Sequence, residues 1–167
     1  MENSKILEAL KMAILMEKRG QAFYNQVAKQ TKSNEIRKIF ETMANEEVIH
    51  EKFLSEHFLQ LSKNNKLSSI DLPKADADHL IGLILTNKIK KEINAASYEA
   101  AAISAAIDME SNAIKVYADY ANKSTDVHEK ELFSWLSNWE RTHHKSLIDM
   151  DNELKESIWN DNQFWPF

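Results

Sequence analysis

Apolar residues recur every three or four positions along most of the chain, which is the spacing of amphipathic helices. The spacing predicts four long helices, at residues 3–30, 35–63, 97–123 and 127–159. Polar, turn-forming residues separate the first two helices and the last two. The second helix has the stripe typical of a bundle helix, formed by Ile36, Phe40, Met43, Glu47, His50, Leu54, His57 and Leu61.

The one long interruption lies between the second and third long helices, at about 62–96. It contains Pro73 and a shorter apolar-rich segment at 77–93, so we expect a crossover that contains a short helix. With only two Gly and two Pro among 167 residues, an all-helical chain is favoured over sheets and long loops. We predict one domain over 1–160, followed by an aromatic tail at 161–167.

The two halves of the chain repeat each other at an offset of 93 residues. Tyr24 falls on Tyr117 and Phe40 falls on Phe133 at this offset. The two helix pairs are therefore interpreted as copies of one supersecondary unit. Two such pairs joined by a long crossover predict an all-α four-helix bundle with an approximate two-fold axis.

Six polar residues interrupt the apolar stripes, and they follow the same repeat. They are Glu17, Glu47, His50, Glu110, Glu140 and His143. Each copy has a lone Glu, then a Glu-x-x-His motif whose Glu lies 30 residues later. Residues three apart share a helix face, so each Glu-x-x-His motif can bind one ion. The lone Glu of the partner helix is then expected to bridge two ions.

Burial is the physical reason to expect a metal here. An ionised and unpaired carboxylate costs several kcal/mol to bury in an apolar stripe. Four carboxylates carry four negative charges, which two divalent ions would neutralise. Oxygen-rich sites with one imidazole per ion suit two iron ions, with manganese as the alternative. A single Glu-x-x-His motif is an ordinary helical spacing, so the prediction depends on the repeat.

Neighbouring polar residues do not follow the repeat. The offset aligns Glu46 with Trp139 and Glu51 with His144, so neither pair is shared. We therefore expect Glu46, Glu51 and His144 to be solvated. His57 lies on the inner stripe away from the motif, where a hydrogen-bonded core histidine is expected.

Tyr24 and Tyr117 each lie seven residues after a lone Glu, on the same helix face. They are either core aromatics or hydrogen-bond partners that orient ligand carboxylates, and the second role would make them candidate catalytic residues. Gly20 and Ala113 lie one turn after the lone glutamates. Their small side chains either leave room for a small oxidant or allow close helix packing.

Composition excludes several other classes of function. The absence of cysteine excludes disulfides, thiolate catalysis and Cys-bound metals. A net charge of −5 without a basic face argues against nucleic-acid binding. No apolar run approaches the roughly 20 residues needed to span a membrane, and residues 1–20 lack the apolar core of a signal peptide. We expect a cytoplasmic protein.

With these motifs, the four long helices resemble a rubrerythrin-like member of the ferritin-like di-iron carboxylate superfamily. By position, Glu17 and Glu110 resemble the bridging or terminal glutamates of the first and third helices. Rubrerythrins proper also carry a rubredoxin domain with Cys-bound iron, and this chain has no cysteine. They usually have an additional Glu where this chain has Ala113, and that Glu is associated with peroxide reduction.

The resemblance implies a di-iron oxidoreductase that reacts with hydrogen peroxide or dioxygen, either reducing peroxide or oxidising ferrous iron. An external electron donor would then be required. The alternatives are iron storage without turnover, a bundle whose metals are only structural, and a dimanganese catalase-like enzyme. For the oligomeric state we favour a homodimer.

Overall fold

In a computed structural model, residues 2–64, 72 and 98–161 are described, with side chains for 5–64, 72 and 98–156. Four helices account for nearly all of this part of the chain. They are α1 (Glu2–Gln30), α2 (Asn34–Asn64), α3 (Tyr98–Lys123) and α4 (Val127–Asp161). The expected short helix at 77–93 and residues 162–167 of the expected tail lie outside the described residues, and the domain boundaries stay predictions.

Side-chain caps fix the start of the second helix in each pair. The Ser33 hydroxyl accepts a hydrogen bond from the backbone N–H of Ile36 at the start of α2. Asp126 Oδ1 accepts hydrogen bonds from the backbone N–H groups of His128 and Glu129 at the start of α4. The turns between paired helices are only three residues long. Short turns of this kind place the two helices of a pair antiparallel and in contact.

The pairs α1–α2 and α3–α4 pack along their lengths, and α1 also meets α3. The apolar core consists of two clusters. One contains Tyr24, Phe40, Met43, Ile103 and Leu147, and the other contains Leu10, Leu54, Tyr117, Phe133 and Leu136. Each cluster draws residues from all four helices, and the six repeated polar residues lie between the clusters along the sequence of every helix.

Two aromatic pairs related by the offset of 93 are closely similar in burial. Tyr24 and Tyr117 are 1% and 0% exposed, and Phe40 and Phe133 are 0% and 2% exposed. The helices begin and end within a few residues of the predicted positions. The all-α four-helix bundle of two repeated pairs is confirmed, with no strand among the residues that the structure describes.

None of the helices described in the structure combines the length and the apolar character needed to cross a membrane.

Candidate metal centre

The structure brings all six repeated residues together at the middle of the bundle. They form two overlapping groups, Glu17–Glu47–His50–Glu140 and Glu47–Glu110–Glu140–His143, and within each group the potential ligand atoms lie within 4.8 Å of one another. Each group could hold one ion. Because the groups overlap, the two ions would lie side by side.

The overlap differs from one expectation, about which residues would bridge two ions. The sequence pattern had assigned it to the lone glutamates, Glu17 and Glu110. In the structure those residues belong to one group each, whereas Glu47 and Glu140 belong to both. If two ions were bound, Glu47 and Glu140 would therefore be the residues able to reach both, and Glu17 and Glu110 would each reach one.

Both histidines face the carboxylates with Nδ1. His50 Nδ1 lies 3.0 Å from Glu17 Oε2, 3.0 Å from Glu140 Oε1 and 3.1 Å from Glu47 Oε2. His143 Nδ1 lies 3.0 Å from Glu140 Oε2 and 3.4 Å from Glu110 Oε1. The two imidazole rings stack with centroids 5.9 Å apart. Nδ1 is thus the atom that each ring would offer to a metal ion.

The arrangement of these atoms fits cations. All six residues are buried, with exposed fractions of 4% or less. Both Glu140 oxygens and His143 Nδ1 lack a hydrogen-bond partner among the described residues, although neighbouring atoms lie only 3.0 Å away. Lone-pair atoms that converge without aligned hydrogens are typical of metal ligands. The donor set of four carboxylates and two imidazoles suits iron or manganese.

Charge crowding in the metal-free site perturbs its pKa values. Burial raises the pKa of Glu47, and the nearby Glu140 and Glu17 carboxylates raise it further. Burial likewise raises the pKa of Glu110 to about 8. Burial would also raise the pKa of Glu140, but the His50 and His143 imidazoles hold it below its ordinary value. Without metal, bound protons therefore offset part of the negative charge.

Two tyrosines hold the terminal carboxylates from the opposite helix pair. Tyr24 Oη donates a hydrogen bond to Glu110 Oε1, and Tyr117 Oη donates one to Glu17 Oε1. Burial and the neighbouring carboxylates raise the pKa values of both phenols, so both remain protonated donors. Of the two roles considered for these tyrosines, the structure shows the hydrogen-bonding one.

A cavity of about 170 Å³ lies beside the carboxylates, between α1 and α3. Its lining includes Gly20 and Ala113, together with the paired residues Met16 and Met109. A Cβ atom added at Gly20 would lie 3.3 Å from Cδ and Oε1 of Glu47, closer than ordinary contact. The small residues therefore leave space next to the carboxylates, and Gly20 also leaves room for Glu47 itself.

Glu46 is the residue that the sequence reasoning missed. It was expected to be solvated, but its side chain is only 12% exposed. Its Oε2 accepts a hydrogen bond from Trp139 Nε1 at 3.1 Å and lies 2.5 Å from His143 Nε2. The sequence contained a signal for this contact. Glu46 directly precedes Glu47, its repeat equivalent is Trp139, and positions related by a two-fold axis can meet at that axis.

The other neighbouring residues fall closer to expectation. Glu51 is 28% exposed and forms an ion pair with Lys18 at 3.4 Å, and His144 is partly exposed. His57 is buried, and its Nδ1 donates a hydrogen bond to the Phe53 carbonyl at 2.7 Å. The expectation of a hydrogen-bonded core histidine is confirmed for His57.

Comparison with protein families agrees with this geometry. A family model described as Rubrerythrin matches residues 8–151, which include all six clustered residues. The chain belongs to the rubrerythrin family. Neither a search of curated proteins nor a search of solved structures found a match.

Rubrerythrin membership supports a di-iron protein and a ferritin-like bundle. Within that family, this chain differs from the expected pattern at two points noted above. It has no cysteine, and the residue that lines the cavity at position 113 is Ala and not Glu. The clustered residues that could hold metal are the same in number and type in both halves, two Glu and one His in each.

Proposed function

We propose that this rubrerythrin is a di-iron oxidoreductase that reacts with hydrogen peroxide or dioxygen, either reducing peroxide or oxidising ferrous iron. The observation that carries the proposal is the pair of four-residue groups that share Glu47 and Glu140. That overlap provides for two adjacent ions, and two ferrous ions that each give up one electron would together supply the two electrons that peroxide reduction consumes.

Each side chain has a distinct role in this proposal. Glu17 with His50 would hold one ion, Glu110 with His143 would hold the other, and the two shared glutamates would span both. Bound iron would supply the electrons for the reaction. The protein fixes the spacing, balances the charge and excludes bulk water from the buried carboxylates.

The cavity between α1 and α3 has room for a small oxidant. A volume of about 170 Å³ beside the carboxylates accepts dioxygen or hydrogen peroxide. Because the chain lacks cysteine and hence a Cys-bound iron of its own, repeated turnover would need an external electron donor. A homodimer remains our preferred assembly, and we propose neither a nucleic acid nor a membrane as a partner.

The test compares variants of the shared glutamates with a matched control. Glu47→Ala and Glu140→Ala should each lose bound metal and the ability to oxidise Fe(II). Glu51→Ala removes a partly exposed glutamate from the same helix and should retain both properties. If the two shared-glutamate variants still bind two metals and oxidise Fe(II) normally, the proposal is wrong.

Iron storage without turnover is the second candidate, favoured by Ala113 at the cavity and by the missing cysteines. Repeated cycles with peroxide and a chemical reductant separate the two candidates, because storage predicts a single stoichiometric oxidation. The donor set also accepts manganese, so a dimanganese catalase-like enzyme is a further alternative that metal analysis would decide.

A further inference from the structure

The six clustered residues repeat between the halves, but the surroundings of the two histidines do not. Behind His143, Glu46 Oε2 lies 2.5 Å from Nε2, the ring nitrogen that faces away from the carboxylates. Behind His50 there is no counterpart: Nε2 is buried and has no hydrogen-bond partner among the described residues. The His50 ring instead packs against the rings of Trp135 and Trp139 in T-shaped contacts, with ring centroids 5.5 and 4.9 Å apart.

A single sequence difference produces this asymmetry. Position 46 and its repeat equivalent, position 139, are Glu and Trp. The two side chains meet, because Trp139 Nε1 donates a hydrogen bond to Glu46 Oε2 at 3.1 Å across a separation of 93 residues. The contact orients the Glu46 carboxylate, and that carboxylate faces His143.

The hydrogen bond matters for metal binding because of where the imidazole carries its proton. When Nδ1 binds an ion, a neutral ring carries its hydrogen on Nε2. A carboxylate that accepts this hydrogen fixes the ring orientation and makes Nδ1 a better donor. Loss of such a partner typically lowers metal affinity by about 10- to 100-fold. His143 has this partner, and His50 does not.

Resting on the dinuclear centre of the proposed function, we propose that Glu46, held by Trp139, positions His143 and makes the two metal positions unequal. The ion held by Glu110 and His143 binds more tightly and fills first. The ion held by Glu17 and His50 binds second. Glu46 is a positioning residue, since it acts through His143 and lies outside both ligand groups.

The experiment titrates metal-free protein with Co(II) alone, in competition with a chromophoric chelator, and follows the visible absorption of the bound ion. The wild-type protein should show two steps whose affinities differ by about 10- to 100-fold. Glu46→Ala should weaken the first step by that factor and leave the second unchanged. Glu46→Gln keeps an oxygen acceptor of the same shape, so it should recover part of the difference.

A double-variant comparison assigns the step to its histidine. In a His50→Ala background, Glu46→Ala should still weaken the remaining step, whereas in a His143→Ala background it should have no effect. Far-UV circular dichroism checks that each variant is folded. If Glu46→Ala does not fold, the isosteric Glu46→Gln carries the test, with a smaller weakening of the first step expected.

Two results would overturn the inference while leaving the dinuclear centre intact. One is a wild-type titration with two equal steps, and the other is an equal loss of both steps in the Glu46 variants. Failure of the proposed function looks different, because Co(II) would then not bind at all or would bind Glu47→Ala as well as the wild-type protein.

Discussion

In the metal-free protein, the free energy of unfolding should fall as the pH rises from 5 to 8. In the metal-free fold, burial raises the pKa of Glu110 to about 8, from an ordinary value of 4.5. Between these values the folded state keeps a proton that the unfolded chain has released. The stabilisation that this proton contributes is therefore fully present below about pH 4.5 and is lost as the pH rises towards 8.

The size of the effect follows from the width of that interval. One pH unit corresponds to about 1.4 kcal/mol for one proton, so the three units between pH 5 and pH 8 give at most about 4 kcal/mol for Glu110. The pKa values of Glu47, His50 and His143 are also raised, which adds loss in the same direction. The lowered pKa of Glu140 acts only below pH 4.5 and leaves this interval unchanged.

The assay is urea unfolding followed by far-UV circular dichroism at pH 5, 6, 7 and 8, with chelator present. Metal-loaded protein should show the opposite trend, because metal binding requires deprotonated carboxylates and so strengthens with pH. Metal-free Glu110→Gln, which cannot titrate at this position, should lose less stability over the same range. Metal-free wild-type protein that is equally stable at pH 5 and 8, or more stable at pH 8, would refute the reasoning.

Two further predictions concern the surroundings of the carboxylates. Gly20→Ala should gain up to about 1 kcal/mol of helix propensity, yet bind less metal, because the new Cβ would lie 3.3 Å from Glu47 Cδ. Thermal unfolding of metal-free protein measures the first effect and metal content measures the second, and an unchanged metal content would contradict the prediction. Tyr24→Phe should cost about 1–3 kcal/mol in urea unfolding, because buried Glu110 loses its hydrogen-bond donor. Tyr117→Phe should match it, and a loss in only one of the two variants would contradict the equivalence of the halves.

Much of the fold could be predicted because helical periodicity reports burial directly. The stripe from Ile36 to Leu61 was read from spacing alone, and every member of it is buried. The repeat then selected Glu47 over Glu46 as the member of the cluster. Residues that repeat in both halves and lie on the apolar stripe of each helix face the core, so they come together when the two helix pairs pack.

The bridge and the role of Glu46 could not be obtained in the same way. The offset of 93 pairs each residue with its equivalent, but it does not determine how the two helix pairs face each other. In the bundle, α2 and α4 approach so that Glu47 and Glu140 each lie close to both histidines. The same approach brings Glu46 against Trp139, so the repeat mismatch, which favoured a solvated Glu46, corresponds to a partly buried hydrogen bond.

Metal content per chain, measured by elemental analysis of protein purified without added metal, tests the central claim most directly. Wild-type protein should contain about two iron atoms per chain, one for each group of ligands. Glu17→Ala should keep about one, because it removes a ligand of the His50 group only, whereas Glu47→Ala should keep almost none, because both groups share that residue. Wild-type protein that holds no transition metal and takes none up, or a Glu47→Ala variant that retains both ions, would contradict the account.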